Sequence, residues 1–210
     1  MLIFNPRSMT SNNVGKGIAE FVGTFFLTLT IFIAAVNGSA GAFAPLAIGL
    51  TLMVMIYALG HVSGAHFNPA VSIGLFLKGD CSQDELPTYL GAQILAGVLA
   101  FFVGSELVLN GADAAEITAA TFDSTIAVLS AEALWTFALM FVIINVATEQ
   151  AGNQFYGAAI GLTVMAGAFT VGSISLGSFN PAVTAMLTVS GKLAVADIWM
   201  HIVPQLLGAA

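Results

Sequence analysis

Two Asn-Pro-Ala triplets are the part of this sequence with the clearest potential for chemistry. The triplets are Asn68, Pro69 and Ala70 in the first half and Asn180, Pro181 and Ala182 in the second. Each predicts a helix start, because Asn is a favoured N-cap and Pro loses no hydrogen bond at the first helical position. The Asn amides offer N–H donors to a small oxygen-bearing molecule, and the positive potential of a helix start opposes cations. The triplets therefore suggest a path for neutral, hydrogen-bonding solutes.

The composition places these triplets in a membrane protein. Charged residues make up 7% of the 210 residues, hydrophobic residues make up 58%, and the mean hydropathy is +0.97. Because an average soluble domain is about 25% charged, a soluble enzyme and a disordered chain are excluded. Four Lys and Arg residues cannot form a phosphate-binding surface, which excludes nucleic acid as a partner. We predict an integral membrane protein whose surroundings are the lipid bilayer.

The apolar segments predict six transmembrane helices and two half-helices. The six segments cover about 18–36, 46–59, 89–109, 126–146, 157–171 and 194–210. The half-helices are predicted at 69–78 and 181–190, because about ten helical residues cross only half of a hydrocarbon core. The sixth segment is shorter than its counterpart in the first half, so we expect the last span to be truncated.

The chain repeats itself with an offset of 112 residues. Fourteen of the 31 positions in 47–77 are identical to their counterparts in 159–189, without a gap. We divide the chain into a polar leader at 1–15, a first repeat at 16–110, an extracellular connection at 111–125 and a second repeat at 126–210. Three full spans per repeat is an odd number, so the second repeat must enter the bilayer inverted.

The basic residues predict the orientation of the chain in the bilayer. Arg7, Lys16 and Lys78 fall on one side of the predicted membrane, and Lys192 falls on the other. Because basic residues are enriched in cytoplasmic segments, we predict that the N-terminus is cytoplasmic. We also predict that the protein lies in the plasma (inner) membrane.

The stretches before the triplets, 60–67 and 172–179, are predicted to be non-helical. At membrane depth such backbone is tolerated only inside protein or along a watery cavity. We therefore expect the backbone of five residues to line a pore: Gly64, Ala65, His66, Ser175 and Leu176. Glu20 and Glu132 are carboxyl groups inside apolar spans. We expect each to accept hydrogen bonds from the loop of its own repeat, with a proton relay as the alternative.

The paired triplets, the run from Gly60 to Val71 and the Glu-bearing start of each repeat closely resemble the aquaporin (major intrinsic protein) family. The resemblance covers about residues 17–210. It implies an all-α membrane protein with six transmembrane helices, two re-entrant half-helices and an inverted internal repeat. It also implies one pore per chain, a homotetramer and the loop-supporting role of the two carboxylates.

One departure from the family pattern concerns the outer constriction of the pore. The family normally has Arg directly after the second triplet, and this chain has Val183. Spacing from the triplets places Ile48, Ala168 and Gly177 at the other three positions of the constriction. All four are apolar or lack a side chain, so we predict a wide, uncharged selectivity filter. Glycerol, urea or ammonia would then pass as well as water, and the half-helix ends alone would exclude cations.

Two other functions are compatible with the same pattern. The apolar constriction could leave the pore poorly conducting, and the protein would then be a structural or junction-forming membrane component. A secondary transporter uses the same inverted-repeat logic, but it would need coupling-ion carboxylates beyond Glu20 and Glu132. The sequence contains no nucleophile–base pair, phosphate loop or metal-ligand cluster, so we predict no enzyme activity, cofactor or metal site.

Overall fold

The computed structural model describes residues 13–111, 117–150 and 152–210, and these ranges are helical without strands. Most of the predicted leader, including Arg7, therefore lies outside the described residues. Part of the predicted connection lies outside them as well. The α-helices in the described ranges are α1 Asn13–Ile31, α2 Ala44–Ser63, α3 Pro69–Lys78, α4 Leu86–Phe102, α5 Thr125–Ile143, α6 Tyr156–Ser175, α7 Pro181–Val189 and α8 Trp199–Ala209. The all-α prediction is confirmed.

Five helical segments in the described ranges are long and apolar enough to cross a bilayer. They are Asn13–Val36, Gly41–Ser63, Leu86–Val108, Thr125–Thr148 and Tyr156–Ser175. Three of them extend an α-helix by a wider π-helical turn, at Phe32–Val36, Val103–Val108 and Ile144–Thr148. The sixth predicted span corresponds to α8, which has 11 residues and covers only about 16 Å of the roughly 30 Å hydrocarbon core.

The helices are arranged as two equivalent sets of four. Helix α1 packs against α4 as α5 packs against α8, and α2 packs against α6 where the two sets meet. The short helices also cross between the sets, because α7 contacts α4 and α3 contacts α8. The half-helices α3 and α7 contact each other as well. The second triplet is thereby brought into the same part of the fold as the first.

Two glycines allow α2 and α6 to approach closely. A Cβ atom added to Gly49 would lie 2.7 Å from the carbonyl oxygen of Gly161. A Cβ atom added to Gly161 would lie 2.5 Å from the carbonyl oxygen of Gly49. Since real Cβ atoms do not come this close to backbone oxygens, only glycine fits either position without moving a helix. The two residues share the offset of 112 that relates the repeats.

The helical part of each repeat is longer than we predicted. Helix α2 continues to Ser63 and α6 continues to Ser175, so the non-helical stretches are only 64–67 and 176–179. The extra turn is held by helical hydrogen bonds, which include those from Gly64 N to Gly60 O and from Leu176 N to Gly172 O, both 2.9 Å. Small residues before the triplets were not sufficient to end the helix earlier. Each helix ends instead where the backbone turns left-handed, with φ of 86° at position 64 and 67° at position 176.

Candidate pore and selectivity site

A carboxylate inside the first repeat holds the loop before the first triplet. Glu20 is fully buried in α1. One of its carboxylate oxygens accepts hydrogen bonds from Ser63 Oγ at 2.6 Å and from the backbone N–H of His66 at 3.0 Å. The other accepts from the backbone N–H of Phe67 and from Gln93 Nε2, both at 2.7 Å. Four donors from three segments of the chain thus converge on this one side chain.

The second repeat reproduces this arrangement residue by residue. Glu132 is also fully buried, and one of its oxygens accepts from Ser175 Oγ at 2.6 Å and from Ser178 N at 3.0 Å. Its other oxygen accepts from Phe179 N and Gln205 Nε2, both at 2.8 Å. The four donors have the same offset of 112 from those around Glu20. Each carboxylate therefore accepts two hydrogen bonds from the backbone of the loop in its own repeat.

These hydrogen bonds hold backbone conformations that are otherwise unfavourable. Ala65 and Phe67 have φ angles of 54° and 47°, and Leu176 and Phe179 have angles of 67° and 50°. A left-handed conformation at a non-glycine residue costs roughly 1–2 kcal/mol. The loops keep this shape because the buried carboxylates bind the N–H groups of both phenylalanines.

The two asparagines cap their half-helices through their side-chain oxygens. Asn68 Oδ1 accepts from Ala70 N at 2.9 Å, and Asn180 Oδ1 accepts from Ala182 N at 2.9 Å. Both asparagines have extended backbones, as N-caps do, and Pro follows each of them at the first helical position. The oxygen of each side chain is therefore committed to its helix, and the amide nitrogen is directed away from it.

The amide nitrogens connect the two repeats to each other. Asn68 Nδ2 donates to the carbonyl oxygen of Phe179, and Asn180 Nδ2 donates to the carbonyl oxygen of Phe67, both at 2.8 Å. An amide group has two N–H bonds, so one N–H of each asparagine remains for another acceptor. Both residues line the same cavity.

The cavity has a volume of about 300 Å³ and is lined by residues of both repeats, from the C-terminal end of α7 to the C-terminal end of α3. Near the C-terminal end of α7 it is lined by Val36, Pro45 and Lys192, and we call this end the α7 mouth. Near the C-terminal end of α3 it is lined by Leu75 and Tyr156, and we call this end the α3 mouth. Between the mouths, the lining consists of aliphatic side chains from the long helices and of residues from the two loops, with both asparagines.

The four residues of the predicted constriction line this cavity together. Ile48 comes from α2, Ala168 from α6, Gly177 from the second loop and Val183 from α7. Two of them are adjacent, because a Cβ atom added to Gly177 would lie 3.5 Å from the Cα atom of Ala168. None of the four brings a polar side chain, so the hydrogen-bonding groups here are those of the backbone.

Four of the five residues predicted to line the pore with their backbone do line the cavity, and Ser175 does not. Gly64, Ala65, His66 and Leu176 face it. Ser175 is fully buried, its hydroxyl binds Glu132 and its carbonyl oxygen accepts from His201 Nε2 at 2.8 Å. The residue is thus the last of a helix and not part of the loop, which corrects our prediction. The residues of the second loop that line the cavity are Leu176, Gly177, Ser178 and Phe179.

Sequence reasoning missed a second pair of supporting residues. Tyr89 Oη donates to the carbonyl oxygen of Ser63 at 2.6 Å, as His201 Nε2 does to that of Ser175. Tyr89 and His201 have the offset of 112, although their side chains differ. A search for identical residues in the two repeats could not find this pair, because Tyr and His differ. A search for any two polar residues that lie 112 positions apart in apolar helices would have found it.

The described residues contain no group of three or more His, Cys, Asp and Glu side chains that could hold a metal ion. The lining of the cavity offers hydrogen bonding from the two asparagine amide groups and from backbone groups of the two loops, and most of the remaining lining is apolar. Such a lining suits a small solute that has both polar and apolar surface.

Comparisons with known proteins agree with this geometry. The family model described as major intrinsic protein matches residues 7–167 and 145–210. The chain is 36% identical over 204 residues to aquaporin NIP1-1 of Zea mays, a match that covers 93% of this chain and 71% of that protein. It is 37% identical over 202 residues to aquaporin NIP1-3 of Oryza sativa subsp. japonica, with 92% and 70% covered.

A solved structure has the same fold. The X-ray structure of the aquaglyceroporin from Plasmodium falciparum superposes with a TM-score of 0.77 at 23% identity, and the match covers 94% of this chain and 93% of that one. With the family model spanning nearly the whole sequence and relatives above 30% identity, this chain belongs to the major intrinsic protein family and is an integral membrane protein.

Proposed function

We propose that this protein is a passive transmembrane channel for water and small neutral solutes, and that its selectivity filter is wide and apolar. The family is one of channels and not of enzymes. The observation that carries the proposal is the pair of bonds from Asn68 and Asn180 to the loops of the opposite repeat. These bonds fix two amide donors next to one continuous cavity, where a permeating oxygen atom can accept from them.

The constriction supports solutes larger than water. Ile48, Ala168, Gly177 and Val183 place no charged or polar side chain at this level of the cavity. A filter without a side-chain donor cannot select water by hydrogen bonding, so size and the backbone acceptors remain as criteria. Glycerol and urea fit this description, and so does ammonia.

Stopped-flow light scattering on proteoliposomes tests this function directly. Vesicles that contain the protein are mixed with sucrose, glycerol or urea, and the rates of shrinking and re-swelling give the permeability for water and for each solute. We expect the permeabilities for water, glycerol and urea to exceed those of empty vesicles, with sucrose as the solute that does not pass. The variant Ala168→Trp, which puts a large ring into the constriction, is the closed control. Rates equal to those of empty vesicles, with folded protein present, would instead favour the poorly conducting structural role.

We further propose a homotetramer in the plasma membrane with a cytoplasmic N-terminus. The family resemblance supports the assembly, and the distribution of Lys16 and Lys78 against Lys192 supports the orientation. Native mass spectrometry should give four times the 21.6 kDa of one chain. In a Cys81→Ser background, a Cys introduced at Ser39 should react with an impermeant reagent added to intact cells. A Cys introduced at Asp84 should react only when the reagent is given access to the cytoplasmic side.

A further inference from the structure

The cavity is lined by one side chain with a permanent charge, considering the residues that the structure describes. This side chain is Lys192, at the α7 mouth, where it lies on the cavity with Leu187 and Val183. The remaining lining residues are aliphatic, aromatic, small or neutral polar. A single ammonium group at the mouth of an otherwise uncharged pore requires an explanation, because the filter itself has no cation.

Lys192 is held in place at both of its ends. Its backbone carbonyl accepts a hydrogen bond from Ala120 N at 2.9 Å, and its Nζ donates to the carbonyl oxygen of Thr118 at 3.2 Å. Both partners belong to the connection between the repeats. The following residue, Leu193, is buried in a cluster with Val183 and Leu187. These contacts keep the ammonium group beside the mouth instead of letting it extend freely into water.

The positive charge of Lys192 is not neutralised by a contacting carboxylate of the described chain. The ion pairs within residues 13–111, 117–150 and 152–210 join Lys16 to Glu85 and join Lys78 to Asp80 and Glu149. The described acidic residues on the side of the α7 mouth are Glu106, Asp123 and Asp197, and none of them forms an ion pair with Lys192. Water and salt screen those more distant surface charges.

We propose that Lys192 determines the charge selectivity of this pore: its ammonium group repels cations at the α7 mouth and so supplies the repulsion that Val183 cannot. This inference rests on the proposed channel function. A charge beside an opening with low-dielectric walls acts more strongly than one on an open surface, because the walls focus its field. Neutral solutes do not feel this repulsion, so the filter can remain wide without admitting ions.

Urea and guanidinium provide a matched pair of probes, because they are planar and similar in size but differ by one charge. Urea permeability is measured by stopped-flow light scattering. Guanidinium permeability is measured as uptake of the radiolabelled ion at low ionic strength into vesicles whose membrane potential is clamped with potassium and valinomycin. The quantity that tests the proposal is the ratio of guanidinium to urea permeability.

The variants change the charge at the mouth stepwise. We expect Lys192→Gln to raise the ratio about tenfold, Lys192→Glu to raise it further, and Lys192→Arg to leave it near the wild-type value. Salt should reduce the difference between wild type and Lys192→Gln, because the charge lies at an open mouth. Lys78→Gln is the matched control: it also removes one lysine, but Lys78 is ion-paired and does not line the cavity.

Chemical rescue separates charge from folding. In a Cys81→Ser background, Lys192→Cys is labelled after reconstitution with an aminoethyl or a methyl methanethiosulfonate. The aminoethyl reagent restores an ammonium group and should lower the ratio, whereas the methyl reagent should not. An unchanged ratio in Lys192→Gln and Lys192→Glu, or an equal change in Lys78→Gln, would overturn the proposal. Absence of urea permeability in the wild type would overturn the channel function instead.

Discussion

At the scale of single residues, the pore depends on groups that never touch a solute. Glu132 binds four donors, two of which are N–H groups of the loop that carries Ser178 and Phe179. The carboxylate suits this position because it offers two oxygens and no donor. An amide in its place would turn an N–H₂ group towards at least one of those donors.

We therefore expect Glu132→Gln to lower the free energy of unfolding by about 1–3 kcal/mol, the usual cost of an unsatisfied buried polar group. Solute permeability should fall as well, because the loop would lose its support. Thermal unfolding in detergent and stopped-flow rates measure the two effects. Glu149→Gln removes an exposed carboxylate and serves as control. Wild-type stability and flux in Glu132→Gln would show that the loop keeps its shape without the carboxylate.

Val183 is the residue at which the selectivity hypothesis can be tested by adding a group. Arg at this position would bring a charged donor into the cavity that Val183 and Ile48 both line. We expect Val183→Arg to reduce glycerol permeability at least tenfold and water permeability much less, since a single file of water needs less width. Val183→Met adds similar length without charge and separates the two causes. Equal loss of both permeabilities would place the narrowest point of the pore elsewhere.

Residue identity predicted the two triplets and the two carboxylates, because each needs a specific side chain and each occurs twice. It could not predict which residue ends α6. Ser175 looked like loop because it is small and precedes the second triplet, but its hydroxyl and carbonyl are used by Glu132 and His201, which hold the last helical turn. The partners in these two contacts are separated by 26 positions (Ser175 and His201) and by 43 positions (Glu132 and Ser175) in the sequence. Sequence spacing within a loop carries no information about them.

At the scale of helices, the path between the repeats depends on how closely α2 and α6 approach. Gly49 and Gly161 face each other there, and each would place a Cβ atom against the other's carbonyl oxygen. Composition showed that the helices are rich in glycine, but periodicity could not show which glycines meet. The apolar residues lie on all sides of these helices, so no hydrophobic face identifies the contact.

Substitution by Ala tests this contact. We expect Gly161→Ala to lower the free energy of unfolding by about 1–3 kcal/mol, as overpacking of a close contact does. It should also change permeability, since α2 and α6 both line the cavity. Gly91→Ala is the control, because Gly91 lies in α4 with open space around it and Ala favours helix by up to about 1 kcal/mol. Equal melting temperatures for both variants and the wild type would contradict a close contact between Gly49 and Gly161.

At the scale of the whole molecule, the inverted repeat explains why a chain of this length forms a pore at all. Each repeat supplies one half-helix, one carboxylate and one loop, and each asparagine binds the loop of the other repeat. Neither repeat can complete the cavity alone. The offset of 112 residues predicted this symmetry. The ion pairs of Lys16 with Glu85 and of Lys78 with Asp80 and Glu149 break it and were not predictable.

One of these ion pairs gives the molecule a pH dependence that can be measured. Lys16, in the first turns of α1, binds Glu85 at the start of α4. This hydrogen bond, together with the backbone N–H of Ser82, lowers the pKa of Glu85 to about 2. In the unfolded chain the pKa of a Glu side chain is about 4.3. The pair therefore stabilises the fold above about pH 4.3, and its contribution is lost as the pH falls through 2.

We expect Glu85→Gln to lower the melting temperature in detergent at pH 7 by a few degrees, since a partly exposed ion pair contributes about 0.2–1 kcal/mol. Below pH 2 the variant and the wild type should converge, because protonation has then removed the same interaction. Lys16→Met and the double variant with Glu85→Gln complete a double-mutant cycle. We expect the second substitution to lower the stability little further, because the first has already removed the ion pair. A constant difference between Glu85→Gln and wild type from pH 7 to pH 2 would contradict the assignment, because it would trace the loss of stability to packing and not to the charge.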